Sequence, residues 1–527
     1  MSPEATPAFI HAFFDPSAYP HPVQDVELIE THISWVLLAG EFAYKIKKPV
    51  DFGFLDFSTL DKRRYYCEEE LRLNRRLAPS IYLEVLPITG APDRPLLGGD
   101  GLPFEYALKM RRFPQEIRLD HLLNSGELGP AHIDLLAKSL ALFHLALPCA
   151  PLASPYGSPD SVLQPMEENF AQIRPLLPER ADQERLENLR LWSDQEAIRL
   201  RVELAERKQN GLIRECHGDL HLGNIVLLEG KPVPFDCIEF NDNLRWIDIV
   251  SDLAFTVMDL LDRKRPDFAQ RLLNGWLEHT GDYQGLRLLR LYQVYRAMVR
   301  AKVAALRAAQ AGHDAASLAA MWQEYRDYIS LAEQLSRPST PQLLITCGLS
   351  GSGKTTLTQP MVEQGGVIRL RSDIERKRLF GLHALDKSGS AVNGGIYTTE
   401  ASQRTYERLL ELSGQVVEAG YPVIVDATFL RRSQREAFHA LATHLNVPFA
   451  ILDFQAAEET LRERIRRRQA ADNDASEADL AVLEKQLANR ELLAAPERAY
   501  AITVDSEAAD AGVNILSAVR SKGLFKQ

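Results

Sequence analysis

The sequence predicts two domains in tandem, an α+β domain of two lobes followed by a three-layer α/β domain with a mostly parallel sheet. Three observations predict this arrangement. The chain has 527 residues, which is too long for a single hydrophobic core. Strand patterns are frequent over residues 25–110, and helical patterns predominate from residue 130. After residue 341, strands alternate with helices, which is typical of a parallel sheet covered by helices.

The clearest predicted boundary is the segment SRPSTP at residues 336–341, because serine and proline interrupt regular structure there. It divides the chain into a first domain at residues 1–335 and a second domain at residues 342–527. Within the first domain, we expect a small β-rich lobe at about residues 20–112 and a helical lobe at about residues 113–335.

Composition and charge narrow the classes of function. The hydrophobic share of 45% and the charged share of 25% are those of a soluble globular protein. The net charge of −11 argues against a dedicated binder of the nucleic-acid backbone. Five scattered cysteines without a C-x-x-C pair predict neither a disulfide framework nor a zinc site. The sequence has neither a basic signal-peptide start nor an apolar run of about 18 residues, so we expect a cytoplasmic protein without a membrane span.

The first motif that carries chemistry is HGDLHLGN at residues 217–224. Its Asp219 and Asn224 have the spacing of the catalytic loop H-R-D-L-x-x-x-N. One turn can then present a carboxylate to an attacking hydroxyl and an amide oxygen to Mg²⁺ on the same side of a γ-phosphate. An apolar strand, a turn and a second strand follow, and the second strand ends at Asp236, where a kinase keeps a second metal-binding carboxylate.

These residues resemble the aminoglycoside phosphotransferase and kinase-like family, whose loop is typically H-G-D-x-x-x-x-N followed by an Asp. A small β-rich lobe before a larger helical lobe is also the order of bilobal kinases. The resemblance implies a kinase-like domain that uses ATP and Mg²⁺, with Asp219 as catalytic base or hydroxyl-orienting group and with Asn224 and Asp236 as magnesium ligands. The turn THIS at residues 31–34 departs from protein kinases, because it has no glycine where they carry G-x-G-x-x-G.

A kinase-like ATP site also needs a lysine on the third strand and a glutamate on the next helix. The strand FAYKIKK offers both Lys45 and Lys47 on one face, since side chains alternate along a strand. The small-x-Lys pattern favours Lys45. For the partner the sequence offers Glu69 and Glu70 without separating them, and we assign Glu70 to the ATP site.

The second motif, GLSGSGKT at residues 348–355, fits the P-loop pattern G-x-x-x-x-G-K-[ST] at every fixed position. It lies between an apolar strand and a helix predicted over residues 354–363, which is the context that the motif requires. Backbone N–H groups would surround a β-phosphate at the positive end of the helix. Lys354 would reach the β and γ oxygens, and the Thr355 hydroxyl would bind Mg²⁺. The expected ATP-binding residues are Gly348, Ser350, Gly351, Ser352, Gly353, Lys354, Thr355 and Thr356.

Three later segments specify the kind of P-loop protein. The strand at residues 367–372 delivers Asp373 at its carboxyl end, where ligands bind in open parallel sheets, and Arg376 follows one helical turn later. The strand at residues 422–426 ends in Asp426, a candidate metal ligand. The helix LRERIRRR at residues 461–468 is strongly basic. In it Arg464 and Arg468 share one face, as do Arg462 and Arg466.

This set resembles the kinase branch that contains polynucleotide kinases, zeta toxins and gluconate-type kinases, over roughly residues 342–505. The resemblance implies that Asp373 deprotonates or orients the acceptor hydroxyl and that Arg376 grips the acceptor. It also implies that Lys354 and one or two lid arginines stabilise the transferring phosphoryl group. We expect Arg464 and Arg468 in that role, with the other pair on the helix as the alternative.

Two phosphate-handling motifs in one chain predict a bifunctional ATP-dependent phosphotransferase. Each domain would transfer the γ-phosphate to a hydroxyl of a small molecule, a nucleotide or a nucleic acid, and the acidity of the chain makes nucleic acid the least favoured acceptor. The sequence leaves the acceptor and the oligomeric state open. The alternative is one active P-loop kinase regulated by a catalytically weak, nucleotide-sensing kinase-like domain. The glycine-free turn at residues 31–34 makes the first domain the candidate for the weak partner.

Overall fold

The structure is a computed structural model that describes residues 6–53, 55–310, 314–383, 386, 395–471, 476–522 and 524. Contacts divide the chain into two compact units. The first unit comprises Met1–Leu136, Ala146–Pro165 and Leu204–Thr256, and the second comprises Ala137–Leu145, Met166–Glu203 and Val257–Gln527. The predicted linker at residues 336–341 lies inside the second unit, and the predicted domain limits stay a prediction.

The first unit contains a six-stranded antiparallel sheet in the order β1-β2-β3-β6-β4-β5. Its strands are β1 (Val26–Glu30), β2 (Ser34–Ala39), β3 (Phe42–Lys47), β4 (Tyr82–Ala91), β5 (Arg94–Leu97) and β6 (Glu105–Arg111). Helix α1 (Ala8–Ala12) packs on this sheet through Ile10, which belongs to a buried cluster with Trp35 and Tyr44. Helix α2 (Leu60–Asn74) begins after Thr59, whose hydroxyl accepts a hydrogen bond from the N–H of Lys62 at 3.3 Å.

Helices and two small antiparallel sheets follow in chain order. The helices are α3 (Leu119–Ser125), α4 (Pro130–Ala146), α5 (Pro159–Ile173), α6 (Arg180–Arg199), α7 (Arg201–Gln209), α8 (Asp242–Arg245) and α9 (Ile249–Asp262). The strands are β7 (Ile213–Glu215), β8 (Ile225–Leu228), β9 (Lys231–Pro234) and β10 (Trp246–Asp248). Strand β7 pairs with β10, and β8 pairs with β9. The motif HGDLHLGN therefore connects two short sheets, and Asp236 follows β9 almost directly.

The second unit contains a five-stranded sheet in the order β12-β13-β11-β14-β15, and every neighbouring pair is parallel. The strands are β11 (Leu343–Cys347), β12 (Ile368–Arg371), β13 (Val423–Asp426), β14 (Phe449–Gln455) and β15 (Ala501–Asp505). The helices are α10 (Pro266–Thr280), α11 (Leu286–Ala308), α12 (Ala315–Ser336), α13 (Lys354–Leu357), α14 (Gln359–Gly365), α15 (Ser372–Leu379), α16 (Thr399–Glu418), α17 (Arg432–His444), α18 (Glu458–Ala471), α19 (Leu480–Asn489) and α20 (Ala511–Ser521).

The predicted fold classes, α+β followed by parallel α/β, are confirmed. The single helix expected over residues 354–363 is instead two helices, α13 and α14, which meet at Thr358. Pro360 explains the break, because a proline has no N–H to donate and fits the first turn of a new helix. Within the part of the chain that the structure describes, none of the helices combines the length and apolar character that a bilayer crossing needs.

Strand β12 is an edge strand, and helix α10 satisfies part of its free edge. The side-chain oxygen of Asn274 accepts a hydrogen bond from the N–H of Arg369 at 2.8 Å, and its nitrogen donates to the carbonyl of Val367 at 3.2 Å. The Glu278 carbonyl accepts a hydrogen bond from Arg378 at 2.5 Å. An edge strand exposes unpaired backbone groups, so an amide that both donates and accepts replaces a missing neighbour.

Candidate active sites

The first motif forms a buried turn that Asp252 on α9 holds in place. The Asp252 carboxylate accepts hydrogen bonds from the backbone N–H groups of His217 at 3.0 Å and Gly218 at 2.9 Å. Gly218 has φ +87°, and a Cβ at this position would lie 2.7 Å from the carbonyl oxygen of Leu244. The turn therefore requires glycine between the histidine and the aspartate.

The His217 ring fixes Asp219, which lies two residues further along the motif. Its Nε2 lies 2.9 Å from the carbonyl oxygen of Phe235, and its Nδ1 lies 3.3 Å from the N–H of Asp219. Because a carbonyl only accepts, Nε2 carries the proton and Nδ1 accepts from Asp219. Burial lowers the pKa of His217, which favours this neutral ring. His217 thus orients Asp219 through the backbone.

Asp219 and Asn224 lie side by side. The Asn224 side-chain nitrogen donates to both the carbonyl and the carboxylate of Asp219, each at 3.0 Å. That nitrogen is thereby engaged, so the amide oxygen is the atom that Asn224 can offer to a cation. His221 Nε2 lies 3.5 Å from the Asp219 carboxylate, which is 37% exposed. An acceptor hydroxyl can therefore approach this carboxylate from solvent.

The lysine and the glutamate of the first site meet as an ion pair. Lys45 Nζ lies 2.7 Å from Glu70 Oε1 and 2.9 Å from Asp236 Oδ1. Asp236 adopts φ +65°, and its N–H donates to the Tyr82 hydroxyl at 3.0 Å. Glu69, the alternative glutamate, instead pairs with Arg72 on the same helix and with the buried Arg245 on α8. Strand β3, helix α2 and the segment after β9 thus each contribute one charge to the site.

Lys47, the alternative lysine, is buried below this pair. Its side chain is 1% exposed and lies 2.7 Å from Glu70 Oε2, and it also contacts the Glu239 carboxylate. Burial alone would raise the pKa of Glu70, but the ammonium groups of Lys45 and Lys47 outweigh it and lower the pKa to about 2. Of the two lysines, Lys45 keeps exposed surface, at 14%.

In the second unit, the motif GLSGSGKT runs from the end of β11 into α13. Gly351 has φ +83°, and a Cβ there would lie 2.9 Å from the carbonyl oxygen of Leu461 on α18. Lys354 Nζ arches back over the loop and donates to the carbonyls of Gly348 at 3.0 Å and Leu349 at 2.8 Å. Burial lowers the pKa of Lys354. The lysine is therefore held by backbone oxygens at the place where phosphate oxygens would bind.

Thr355 and Asp426 supply oxygen atoms next to this loop. The Thr355 hydroxyl donates to Asp426 Oδ2 at 2.5 Å, which joins the first turn of α13 to the end of β13. Asp426 is 6% exposed. A hydroxyl and a carboxylate in contact are hard oxygen donors of the kind that Mg²⁺ prefers.

The carboxyl end of β12 carries a second pair of charges. Asp373 lies 2.8 Å from the Arg376 guanidinium, and both are on the first turns of α15. The Arg376 guanidinium also lies 5.0 Å from the centre of the Tyr397 ring. No sequence motif indicates Tyr397, because a single tyrosine outside a known motif carries no pattern.

The structure distinguishes the two arginine pairs of helix α18. Arg464 donates to the carbonyl of Ser506 at 2.8 Å and to that of Gly351 at 3.4 Å. Arg468 donates to the carbonyl of Ala478 at 2.6 Å. Arg462 instead pairs with glutamates on α18 and α19, and Arg466 is exposed.

Gln486 on α19 is a further loop contact that the sequence did not indicate. Its side-chain oxygen accepts from the N–H of Ser350 at 2.8 Å, and its nitrogen donates to the Ser350 hydroxyl at 3.0 Å. It lies 136 positions from Ser350 in the chain, so no local pattern relates the two.

A cavity of about 1220 Å³ joins the elements of the second site. Ligand pockets usually measure about 300–1000 Å³, so this cavity is larger than the usual range. Gly348 and Ser352 do not line it. The expected residues that do are Ser350, Gly351, Gly353, Lys354, Thr355, Thr356, Asp373, Arg376, Asp426, Arg464 and Arg468.

Two family models match separate segments of the chain. The model of the Phosphotransferase enzyme family matches residues 63–289, and a model described as AAA domain matches residues 343–493. Among curated relatives, uncharacterized proteins of Mycobacterium bovis and Mycobacterium tuberculosis are each 30% identical over 461 residues, which cover 86% of this chain and 89% of theirs.

Solved structures that resemble parts of the chain include three kinases. A gluconokinase from Sinorhizobium meliloti 1021 is 19% identical and covers 35% of this chain and 94% of its own, with a TM-score of 0.26. An amicoumacin kinase in complex with AMP-PNP, Ca²⁺ and Ami is 13% identical, over 60% of this chain and 89% of its own, with a TM-score of 0.38. A Plasmodium vivax ethanolamine kinase is 11% identical, over 58% and 81%, with a TM-score of 0.34.

The two family matches agree with the two nucleotide-type sites described above. The chain is therefore a kinase, and it belongs to the same family as the mycobacterial proteins, with a segment of the Phosphotransferase enzyme family followed by a P-loop segment.

Proposed function

We propose that the chain is a bifunctional ATP-dependent phosphotransferase, with one transfer site in each unit. Each site moves the γ-phosphate of ATP to a hydroxyl of a small-molecule or nucleotide acceptor. The observation that supports this most strongly is that each unit assembles its own lysine, its own acceptor-side carboxylate and its own pair of oxygen donors. One shared site would need only one such set.

In the first unit, Lys45 binds phosphate oxygens of ATP while Glu70 holds its ammonium group in place. Asp219 accepts a hydrogen bond from the acceptor hydroxyl and takes its proton as the new P–O bond forms. The Asn224 amide oxygen and the Asp236 carboxylate, 43% exposed, fit a hard cation. Mg²⁺ held there would neutralise charge on the phosphates.

In the second unit, the backbone N–H groups of the P-loop surround the β-phosphate and Lys354 exchanges its carbonyl partners for β and γ oxygens. Asp373 receives the proton of the acceptor hydroxyl, and Arg376 orients this carboxylate and contacts the acceptor. Arg464 and Arg468 neutralise charge on the moving phosphoryl group. The touching oxygens of the P-loop threonine and the carboxylate that ends β13 fit Mg²⁺, which would again neutralise phosphate charge.

The cavity of the second unit favours a small, polar acceptor. Beyond the P-loop, its wall contains side-chain hydroxyl, amide and charged groups from Tyr397, Gln403, Glu407, Arg431 and Gln434. Such groups hydrogen-bond hydroxyl-rich molecules, and a pocket built on hydrogen bonds rejects acceptors that lack them. The net charge of −11 makes a nucleic-acid acceptor the least favoured case.

Two full-length variants test the two-site proposal. Asp219→Ala and Asp373→Ala are screened with labelled ATP against hydroxyl-bearing metabolites and oligonucleotides. Each substitution is expected to lower transfer to its own set of acceptors by about 10²–10⁴, because each removes one proton acceptor. The other set should be unaffected. Loss of both sets in one variant contradicts the two-site proposal.

The turn between β1 and β2 favours one alternative. It has no glycine, and the Thr31 hydroxyl accepts from the N–H of Ser34 at 2.9 Å to close it. Under this alternative the first unit is a nucleotide sensor that regulates an active P-loop kinase. Asp219→Ala would then leave all phosphate transfer unchanged, while Lys45→Met would alter the rate of the second site.

A further inference from the structure

Four charged side chains form a cluster in the first unit, and the proposed reaction uses two of them, Lys45 and Glu70. Lys47 contacts Glu70 at 2.7 Å and also contacts Glu239, and these three side chains are 1%, 0% and 4% exposed. Lys45 is the fourth member, through Glu70. Burying an ion costs several kcal/mol, and pairing it with an opposite charge often fails to offset that cost. The presence of Lys47 and Glu239 at buried positions is therefore not explained by stability alone.

The charges of this cluster come from three parts of the ATP site. Lys47 ends β3, Glu70 lies on α2, and Glu239 follows Asp236 by three residues. Asn74 joins the same parts again. Its side-chain nitrogen donates to the carbonyl of Glu70 and its oxygen accepts from the N–H of Cys237, both at 2.9 Å. Helix α2 and the 236–239 segment are thus held together by two independent links.

Each carboxylate oxygen of Glu70 contacts a different lysine. Oε2 contacts Lys47, and Oε1 contacts Lys45. A carboxylate held at one oxygen keeps the other oxygen aimed in one direction, which matters because small misplacements of catalytic groups cost large factors in rate. Lys47 itself is too enclosed to contact a nucleotide.

We propose that Lys47 and Glu239 form a clamp that positions Glu70 toward Lys45 and keeps the Asp236 segment next to it before ATP binds. This inference rests on the proposed ATP site of the first unit. Lys47 and Glu239 are positioning residues, and they make the first site a preassembled one in which α2 does not have to move for Lys45 and Glu70 to meet.

The test uses full-length protein carrying Lys354→Ala, so that nucleotide binding reports the first unit alone. Into this parent we introduce Lys47→Met, Glu239→Gln, and both together. Lys47→Met leaves the buried Glu239 carboxylate without its lysine, and Glu239→Gln leaves Lys47 with Glu70 alone. Each single variant is therefore expected to lower the melting temperature. The double variant removes both charges and is expected to restore most of the parental melting temperature, since neutral replacement of a buried pair is often tolerated.

Affinity for Mg-ATP, measured by isothermal titration, separates positioning from simple stability. The clamp predicts that the stable double variant still binds Mg-ATP at least about tenfold more weakly than the parent, because Glu70 has lost its second contact. Parental affinity in the double variant would overturn the clamp. Arg63→Met with Glu105→Gln is the matched control, since this buried pair joins α2 to β6 at 2.9 Å. It should leave the affinity unchanged.

Hydrogen exchange gives a readout that does not depend on nucleotide. The clamp predicts faster exchange at residues 70–74 and at residues 236–239 in the double variant, in both segments together. Unchanged exchange there overturns the clamp whatever the nucleotide result. A parent that binds no Mg-ATP, while exchange rises as expected, would instead reject the ATP site proposed for the first unit and support the clamp as a structural link.

Discussion

The charge on Glu70 should make the stability of the first unit fall at acid pH, and Glu70→Gln should remove this dependence. The pKa of Glu70 is lowered to about 2 by its two lysine neighbours, against an ordinary value of 4.5. A carboxyl with a lowered folded pKa contributes stability that is complete above the unfolded pKa and is lost as pH falls through the folded pKa. The window for Glu70 therefore runs from about pH 5 down to about pH 2.

The size of the effect follows from the shift. One pKa unit corresponds to about 1.4 kcal/mol, so the full contribution of the Glu70 charge is roughly 3 kcal/mol. About 2 kcal/mol of this should be lost between pH 5 and pH 3. Glu70→Gln has no titrating group at this position. The difference in unfolding free energy between the unmodified chain and this variant should therefore shrink by that amount over the same interval.

The assay is urea unfolding at pH 5, 4 and 3, followed by a fluorescent probe on Cys149, which is the exposed cysteine of the first unit. Glu239→Gln is the matched comparison with the opposite sign. Burial raises the pKa of Glu239, so its difference from the unmodified chain should move the other way as pH falls. A difference for Glu70→Gln that stays constant from pH 5 to pH 3 would refute the reasoning.

Three further predictions concern the second unit. Asn274→Leu leaves an N–H and a carbonyl of the β12 edge without partners, so the free energy of unfolding measured by denaturation should fall by about 2–5 kcal/mol. Gln270→Leu on the same helix should hardly change the free energy of unfolding, because the Gln270 side-chain oxygen is buried without a hydrogen-bond partner. An equal loss of unfolding free energy in both variants would contradict the prediction. Thr355→Val keeps the side-chain shape but removes the hydroxyl, so Mg-ATP affinity at the P-loop measured by titration should drop about tenfold or more. Unchanged affinity would reject this threonine as a metal ligand. Arg464→Met should slow transfer by the second site about 10²-fold or more in the labelled-ATP assay, whereas Arg462→Met should leave the rate unchanged. Equal effects of the two variants would show that we have assigned the wrong face of α18 to the site.

Local patterns predicted much of this molecule. The spacing of HGDLHLGN brings Asp219 within hydrogen-bonding distance of Asn224, because five residues of one turn are enough to determine that contact. The P-loop likewise lies between a strand and a helix, as its pattern requires. Alternation of strands and helices predicted the parallel sheet, since hydrophobic periodicity is a property of each segment by itself.

These patterns could not show how two neighbouring residues of the same type differ in burial and contacts. Lys45 and Lys47 share a face of β3, and the sequence did not say which one keeps exposed surface. The structure separates them because Glu239, 192 positions away in the chain, covers Lys47. Glu70 rather than Glu69 meets the lysines because of how α2 turns toward the sheet.

By itself, then, the sequence determined the class of fold in each part of the chain and predicted two phosphate-handling loops, because both inferences depend on residues close together in the chain. Only the tertiary structure showed that Lys45 keeps more exposed surface than Lys47, that Glu70 pairs with both lysines, and that Arg464 and Arg468 line the cavity of the second unit. It also decided that Gln486 contacts the P-loop and that Asn274 satisfies the edge of β12. These contacts join residues far apart in the chain, and their geometry depends on packing that no local pattern records.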